Sequence, residues 1–351
     1  MDIKRLFRTA VAQGASDLHL VVGLRPSLRV DGELSYLEEE VEITSKDMET
    51  MVYSIISASQ KTKLNEQRDL DVGMEVGGYR FRINIHYEKN HLGLVARVIS
   101  SKMPTLEEIQ MPKIVYNLLD LKQGLILVTG PTGCGKSTAL AAMIDYINTT
   151  RFCNIITFED PIEYIFEPKK SIIIQRQLGS DMNTFAAGLK HALRQDPNVI
   201  MVGEMRDLET IATTITLAET GHLVLATLHT YNASQTIDRI IDIFPPHQQA
   251  QVRMQLSMTL AGIISQRLLP SMSGEGRVAT REVLLNTPAV SNIIRENKIA
   301  QLKTVIETSS RQGMMSLDQD LQRLYKEELV TKEIAQSYME NPELLEKFKI
   351  I

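Results

Sequence analysis

Eight consecutive residues, Gly130-Pro131-Thr132-Gly133-Cys134-Gly135-Lys136-Ser137, fit the pattern GxxxxGK[ST], and Thr138 follows them. The glycines let backbone amides turn inward around phosphate oxygens. Lys136 brings a positive charge to the β- and γ-phosphates, and the Ser137 hydroxyl can ligate Mg2+. The apolar run Leu125-Ile126-Leu127-Val128 precedes the motif, and an amphipathic stretch carrying Leu140, Met143, Ile144 and Ile147 follows it. A strand, a loop and a helix in that order are what phosphate binding needs, because the helix start adds the positive end of its dipole. A purely structural glycine turn is the competing account.

Two acidic stretches stand where such a site wants them. Val199-Ile200-Met201-Val202-Gly203-Glu204 is an apolar strand ending in a carboxylate, at the sheet edge where these folds hold ligands. Glu204 there can orient or deprotonate an attacking water, or hold a Mg2+-bound water. It could instead cap a helix over 205–217. Phe158-Glu159-Asp160-Pro161-Ile162-Glu163 sets three carboxylates behind another apolar strand. Clustered carboxylates repel unless a cation such as Mg2+ is close, although a solvated loop would also tolerate them. His222 and His229 bracket the run Leu223–Leu228. At strand rise their rings lie roughly 20 Å apart, too far to share a zinc ion. A histidine at a strand end near phosphate serves as a hydrogen-bonding sensor, and one elsewhere is a structural group.

The elements that position these residues form two patterns. Residues 1–100 read as a small mixed α/β domain. It has a helix over about 2–13, strands at Leu18-His19-Leu20-Val21-Val22 and Leu28-Arg29-Val30, a turn at Asp31-Gly32 and a helical stretch over 43–64. Tyr79-Arg80-Phe81-Arg82-Ile83-Asn84-Ile85 alternates strictly, placing Arg80, Arg82 and Asn84 on one face, and Leu94-Val95-Ala96-Arg97-Val98-Ile99 is a further strand. Pro104 and Pro112 mark a linker over 101–113. From 114 to 280 apolar strands of the parallel kind alternate with amphipathic helices, the grammar of a doubly wound α/β domain. Residues 281–351 read as a helical C-terminal region.

Bulk composition narrows the function classes. Hydrophobic residues make up 43% and charged residues 23%, the profile of a globular protein. The 38 basic and 43 acidic residues leave a net charge of −5. That balance supplies no global field for nucleic acid, and no direct nucleic-acid partner is expected. Cys134 and Cys153 form no CxxC pair and no disulfide framework. No stretch approaches the roughly 20 apolar residues that span a bilayer, so membrane association is expected only through partners.

With these motifs in hand, the sequence resembles the type II/IV secretion ATPase superfamily, and within it the pilus retraction ATPases. The matching segments are SDLHL (16–20), RVDGEL (29–34), RFRIN (80–84), GLILVTGPTGCGKST (124–138), FEDPIEY (158–164), LRQDPNVIMVGEMRDLET (193–210) and ETGHLVLATLHT (219–230). The resemblance implies a homohexamer whose subunits pair a PAS-like N-terminal domain with a RecA-like P-loop ATPase domain and a helical C-terminal region. It implies ATP and Mg2+ as ligands, with Ser137, Glu163 and Glu204 organising the metal. Glu163 and Glu204 would serve hydrolysis, His222 and His229 would form a histidine pair, and Arg82 and Arg97 would reach the nucleotide phosphates. On residue chemistry alone, Arg97 interrupts an apolar strand and needs an anionic partner, whereas Arg82 could be solvated. The implied setting is the cytoplasmic face of the inner membrane, with the pilus platform protein and pilin machinery as partners. The assembly and type II secretion branches usually add a longer N-terminal region and a four-cysteine module, neither of which this sequence shows. Ala289-Val290-Ser291-Asn292-Ile293-Ile294-Arg295-Glu296 is similar to a retraction-branch motif, with Ser291 in place of its arginine. Val290, Ile293 and Ile294 fall on one helical stripe, which either packs on its own domain or transmits motion to the pilus machinery. An accessory retraction or DNA-uptake motor, and a nucleotide-gated scaffold with little turnover, are the alternative functions.

Overall fold

The computed structural model describes residues 1–30, 32–99, 103–274 and 276–346. The expected turn residue Asp31 and linker residues 101 and 102 fall outside them. The chain divides into two compact units. Residues 1–103 with 161–165 form the first, and 104–160 with 166–351 the second.

The first unit contains helices α1 (Ile3–Ala12), α2 (Ser45–Tyr53) and α3 (Ala58–Gln67), and strands β1 (Asp17–Leu20), β2 (Ser27–Val30), β3 (Glu33–Tyr36), β4 (Asp69–Val76), β5 (Tyr79–Glu88) and β6 (His91–Ile99). The strands make one antiparallel sheet in the order β3-β2-β1-β6-β5-β4. Alternation along β5 is realised in full, since Phe81, Ile83 and Ile85 are completely buried and Phe81 stacks on Phe7 of α1 with ring centroids 4.6 Å apart. The helical stretch expected over 43–64 is broken at 54–57. Ser57 starts a second helix there by a reciprocal capping bond with Gln60, which satisfies two amides that would otherwise end unpaired.

The second unit begins with α4 (Lys113–Leu119) and β7 (Gly124–Thr129), and continues through α5 (Lys136–Thr150), β8 (Asn154–Glu159), β9 (Ile172–Gln177), α6 (Phe185–Ala192) and β10 (Val199–Val202). Then come α7 (Leu208–Glu219), β11 (Leu223–Leu228), α8 (Ala233–Asp242), α9 (Pro246–Thr259), β12 (Leu260–Pro270) and β13 (Arg277–Leu285). Helices α10 (Pro288–Arg295), α11 (Leu302–Thr308), α12 (Leu317–Lys326), α13 (Lys332–Tyr338) and α14 (Glu343–Glu346) complete it. The sheet order is β13-β12-β7-β11-β10-β8-β9, parallel except for the β12–β13 hairpin. All residues of β7, β10 and β11 are buried, which is why they read as unbroken apolar runs. Because β7, β8, β10 and β11 run parallel, Thr129, Glu159, Val202 and Leu228 all end at the same edge.

Strand β13 lies where the sequence suggests helix and runs across the expected 280/281 boundary. As an edge strand it escapes the requirement for a continuous apolar run, and Arg281-Glu282 hides it from a periodicity reading. Residues 104–112, expected as linker, instead fold into a turn against the second unit, with Leu106 and Met111 buried.

The C-terminal stripe packs on its own domain. Val290, Ile293 and Ile294 of α10 join the core formed by β7, β11 and α9 residues, while Arg295 and Glu296 face solvent. Ser291 is engaged too, its hydroxyl donating to the Ser257 carbonyl at 2.8 Å. Ile294→Asp should therefore cost about 4 kcal/mol of stability, as an uncompensated buried charge, against about 1 kcal/mol for Ile294→Val. Thermal unfolding of the two variants checks this, and equal melting temperatures would place the stripe outside the core.

Candidate nucleotide site

Helix α5 starts at Lys136 from Gly135, whose φ of +85° is left-handed, and no side chain caps its first amides. A helix start without a side-chain cap favours an anion there through the positive end of its dipole. The loop is built to exclude side chains on one side and leave space on the other. A Cβ on Gly130 (φ +144°) would lie 2.2 Å from the Gln266 carbonyl oxygen and 2.6 Å from Cys134 Sγ, whereas one on Gly133 would meet nothing within 4 Å. Cys134 points inward, and burial pushes its thiol above the ordinary range, so it packs as a neutral group. Lys136 Nζ folds back on the loop, donating to the carbonyls of Gly130 at 2.8 Å and Pro131 at 3.0 Å. Ser137 is exposed beside it.

Strand β10 delivers Glu204 to the same sheet edge. The Gly203 amide donates to the Phe158 carbonyl at 2.8 Å, and a Cβ on Gly203 would stand 3.0 Å from that oxygen, so a side chain here would crowd the β8 backbone. One Glu204 oxygen accepts from Arg206 at 2.8 Å, and the other lies 3.2 Å from His229 Nε2. Burial works to raise the Glu204 carboxyl, but the Arg206 hydrogen bond and charge, joined by His229, outweigh it and hold the group below its ordinary range. The other ring nitrogen of His229 lies 3.4 Å from Thr132 Oγ1 and 3.5 Å from Lys136 Nζ. His229 thus bridges the carboxylate to the phosphate loop. Its own loop is fixed by Asn232, which caps α8, and by Glu282, which accepts the Ala233 amide at 2.7 Å.

The other expected residues are placed differently. His222 sits at the amino end of β11, bonded through Nδ1 to the Leu217 carbonyl at 2.9 Å, so one strand carries His229 to the phosphate loop and leaves His222 at the opposite sheet edge. Glu159 is buried and accepts from Thr157 Oγ1 at 2.7 Å and Gln175 Nε2 at 3.0 Å. Glu163 lies in the 161–165 segment that groups with the first unit, where the Ile162 carbonyl accepts from Arg80 Nε at 3.2 Å. Arg82 and Arg97 are directly opposite each other in β5 and β6, and Arg97 Nε pairs with Asp17 at 2.8 Å. The anionic partner that Arg97 needs is therefore present in its own unit. Arg206, two residues past Glu204, carries a role the motif reading missed. Its one sequence signal is a basic residue two positions after a strand-end carboxylate, and its side chain is largely exposed.

The donors here suit a nucleotide and its metal. An ammonium group at a helix start is the kind of donor phosphate takes, and the Ser137 hydroxyl and Glu204 carboxylate are hard oxygen donors of the kind Mg2+ takes.

Comparison with known proteins agrees. Residues 1–347 match the family described as Type II/IV secretion system protein. The type IV pilus retractation ATPase PilT of Pseudomonas aeruginosa is 45% identical over 344 residues, covering 98% of this chain and 99% of that protein. A twitching motility protein of Neisseria gonorrhoeae is 43% identical, covering 97% and 91% respectively. The crystal structure of the pilus retraction motor PilT with bound ADP superposes with a TM-score of 0.91 at 45% identity, covering 99% of this chain and all of that one. The chain belongs to the type II/IV secretion ATPase family.

Proposed function

We propose that the chain is an ATP-hydrolysing motor that powers retraction of a type IV pilus. The observation that carries the reading is the connection from Glu204 through His229 to the phosphate loop, a water-activating carboxylate tied to the group that binds the reacting phosphate. A scaffold that only senses nucleotide has no use for such a carboxylate. The near full-length likeness to pilus retraction proteins supports the choice of cargo.

Phosphate is drawn to the phosphate loop by the positive end of the α5 dipole and by Lys136. Lys136 then exchanges its two carbonyl partners for the β- and γ-phosphate oxygens. Ser137 and Glu204 would hold Mg2+, whose charge would offset that on the transferring group. Glu204 orients the attacking water and accepts its proton as the new P–O bond forms and the bond to the β-phosphate oxygen breaks. Before that, Glu204 must leave Arg206, so Arg206 restrains the base. Arg82 and Arg97 are assigned to phosphate binding in the assembled ring. The assembly is a homohexamer acting on a platform protein and pilin machinery at the cytoplasmic face of the inner membrane. Among the described residues, no helix is long and apolar enough to cross a membrane.

Phosphate release tests this directly. Lys136→Ala should weaken ATP binding by about 100-fold, and Glu204→Gln should bind ATP yet lose at least about 100-fold in turnover. A fully active Glu204→Gln would return Glu204 to a capping role. Arg206→Ala removes the group that lowers the Glu204 carboxyl in the free enzyme, so the acid limb of the kcat/KM profile should move to higher pH. An unmoved limb would show that Glu204 does not set it. Arg82→Ala should cut turnover at least about tenfold with an unchanged melting temperature. Arg97→Ala is less clean because it strips buried Asp17 of its partner.

A further inference from the structure

Two buried polar side chains of the second unit take no part in the chemistry above. Gln266 of β12 and Arg281 of β13 are 3% and 1% exposed, and they face each other in the hairpin register. Arg281 Nε donates to Gln266 Oε1 at 2.9 Å. The amide nitrogen at the other end of the same side chain donates to the Cys134 carbonyl of the phosphate loop at 2.6 Å. Contact there is close, since a Cβ on Gly135 would stand 2.9 Å from Gln266 Nε2.

That carbonyl is no arbitrary anchor. The Cys134 C=O and the Gly135 N–H share one planar trans peptide, so they point in opposite directions. Fixing the carbonyl toward Gln266 aims the Gly135 amide away from β12. An anion that polarises this amide also makes the carbonyl behind it a stronger acceptor. The strengthened bond then polarises the Gln266 amide toward Arg281.

On its far side Arg281 holds the turn that opens the second unit. Its two terminal nitrogens donate to the carbonyls of Gln110 at 3.0 Å and Ile109 at 2.8 Å. Gln110 has a φ of +51°, a left-handed conformation that a non-glycine residue keeps only when its surroundings enforce it. The turn is closed by amide bonds from Ile109 to Thr105 (3.2 Å), Gln110 to Glu107 (2.9 Å) and Met111 to Leu106 (2.8 Å). Burial lowers the Arg281 guanidinium to about 10, which leaves it charged at neutral pH. The buried Asp320 carboxylate, which accepts the Arg281 backbone amide at 2.7 Å, favours that charge, while the terminal nitrogens are given to carbonyls of the turn. The geometric value of Arg281 is that it joins three segments at one point.

We propose that Gln266 and Arg281 are positioning residues forming a relay that carries nucleotide occupancy of the phosphate loop to the turn at 105–111. The relay rests on the phosphate-site reading of the loop. Its output is the segment through which the chain passes from its first unit into its second.

Hydrogen exchange on the full chain, with and without saturating ADP, tests the relay through the Ile109, Gln110 and Met111 amides. In the unaltered protein ADP should slow their exchange at least about threefold. Gln266→Glu keeps an acceptor for Arg281 but loses the N–H donor to Cys134. It should bind ADP about tenfold more weakly, roughly one lost hydrogen bond, and its turn should no longer respond at saturation. Arg281→Lys leaves the Gln266–Cys134 bond in place, so ADP should bind as in the unaltered protein while the turn again fails to respond. A turn that responds equally in all three proteins, or in none, overturns the relay. Loss of ADP binding by the unaltered protein, read separately by titration with a fluorescent ADP, would instead overturn the phosphate site itself.

Discussion

A loop that turns its amides inward to meet an anion strands its carbonyls on the outer side, and each must find a donor or pay for burial. Here Lys136 supplies donors to the carbonyls of Gly130 and Pro131, and Gln266 supplies one to Cys134. The arrangement fixes much else in the second unit. It requires glycine at 130, where the β12 backbone leaves no room for a Cβ, and favours it at 135, whose φ of +85° is left-handed. It places Lys136 where phosphate can take it over from two neutral oxygens. It also sets a buried amide and guanidinium behind the loop, where apolar residues would otherwise complete the sheet.

The parallel sheet supplies the second constraint. Strands buried on both faces leave polar chemistry only at their ends, so β7, β8, β10 and β11 bring the loop, Glu159, Glu204 and His229 to one edge. At that edge, electrostatics separates two acidic residues that look equivalent in sequence. Glu159 is buried and held by Thr157 and Gln175, a structural group. Glu204 is half-open, restrained by Arg206 and connected to the loop by His229, which suits a group that must change partners during turnover.

Local signals in the sequence were read correctly where one strong physical demand acted on consecutive residues. The loop that runs from strand to helix at 130–135, the buried strand at 199–202, the apolar run 223–228 and the alternation of β5 are of this kind. The α10 stripe was legible as a stripe, yet only packing decided that it belongs to the core. Readings failed where long-range pairing overrode local pattern. Strand β13 is polar at Arg281-Glu282 because those side chains serve the turn at 105–111 and the start of α8, contacts formed across long stretches of chain. Gln266 was silent for the same reason, since nothing beside it in sequence points to Cys134. His222 and His229 look like a pair in sequence, but a strand six residues long holds them at opposite ends.

Motor and cargo together make the central claim, and a gene deletion addresses both at once. In the bacterium that carries this chain, loss of the gene should leave cells bearing more surface pili than the parent and unable to twitch, with both traits restored by the intact gene but not by the Glu204→Gln form. Cells that lack pili would instead make the chain an assembly motor, and cells with unchanged piliation and motility would contradict the account outright.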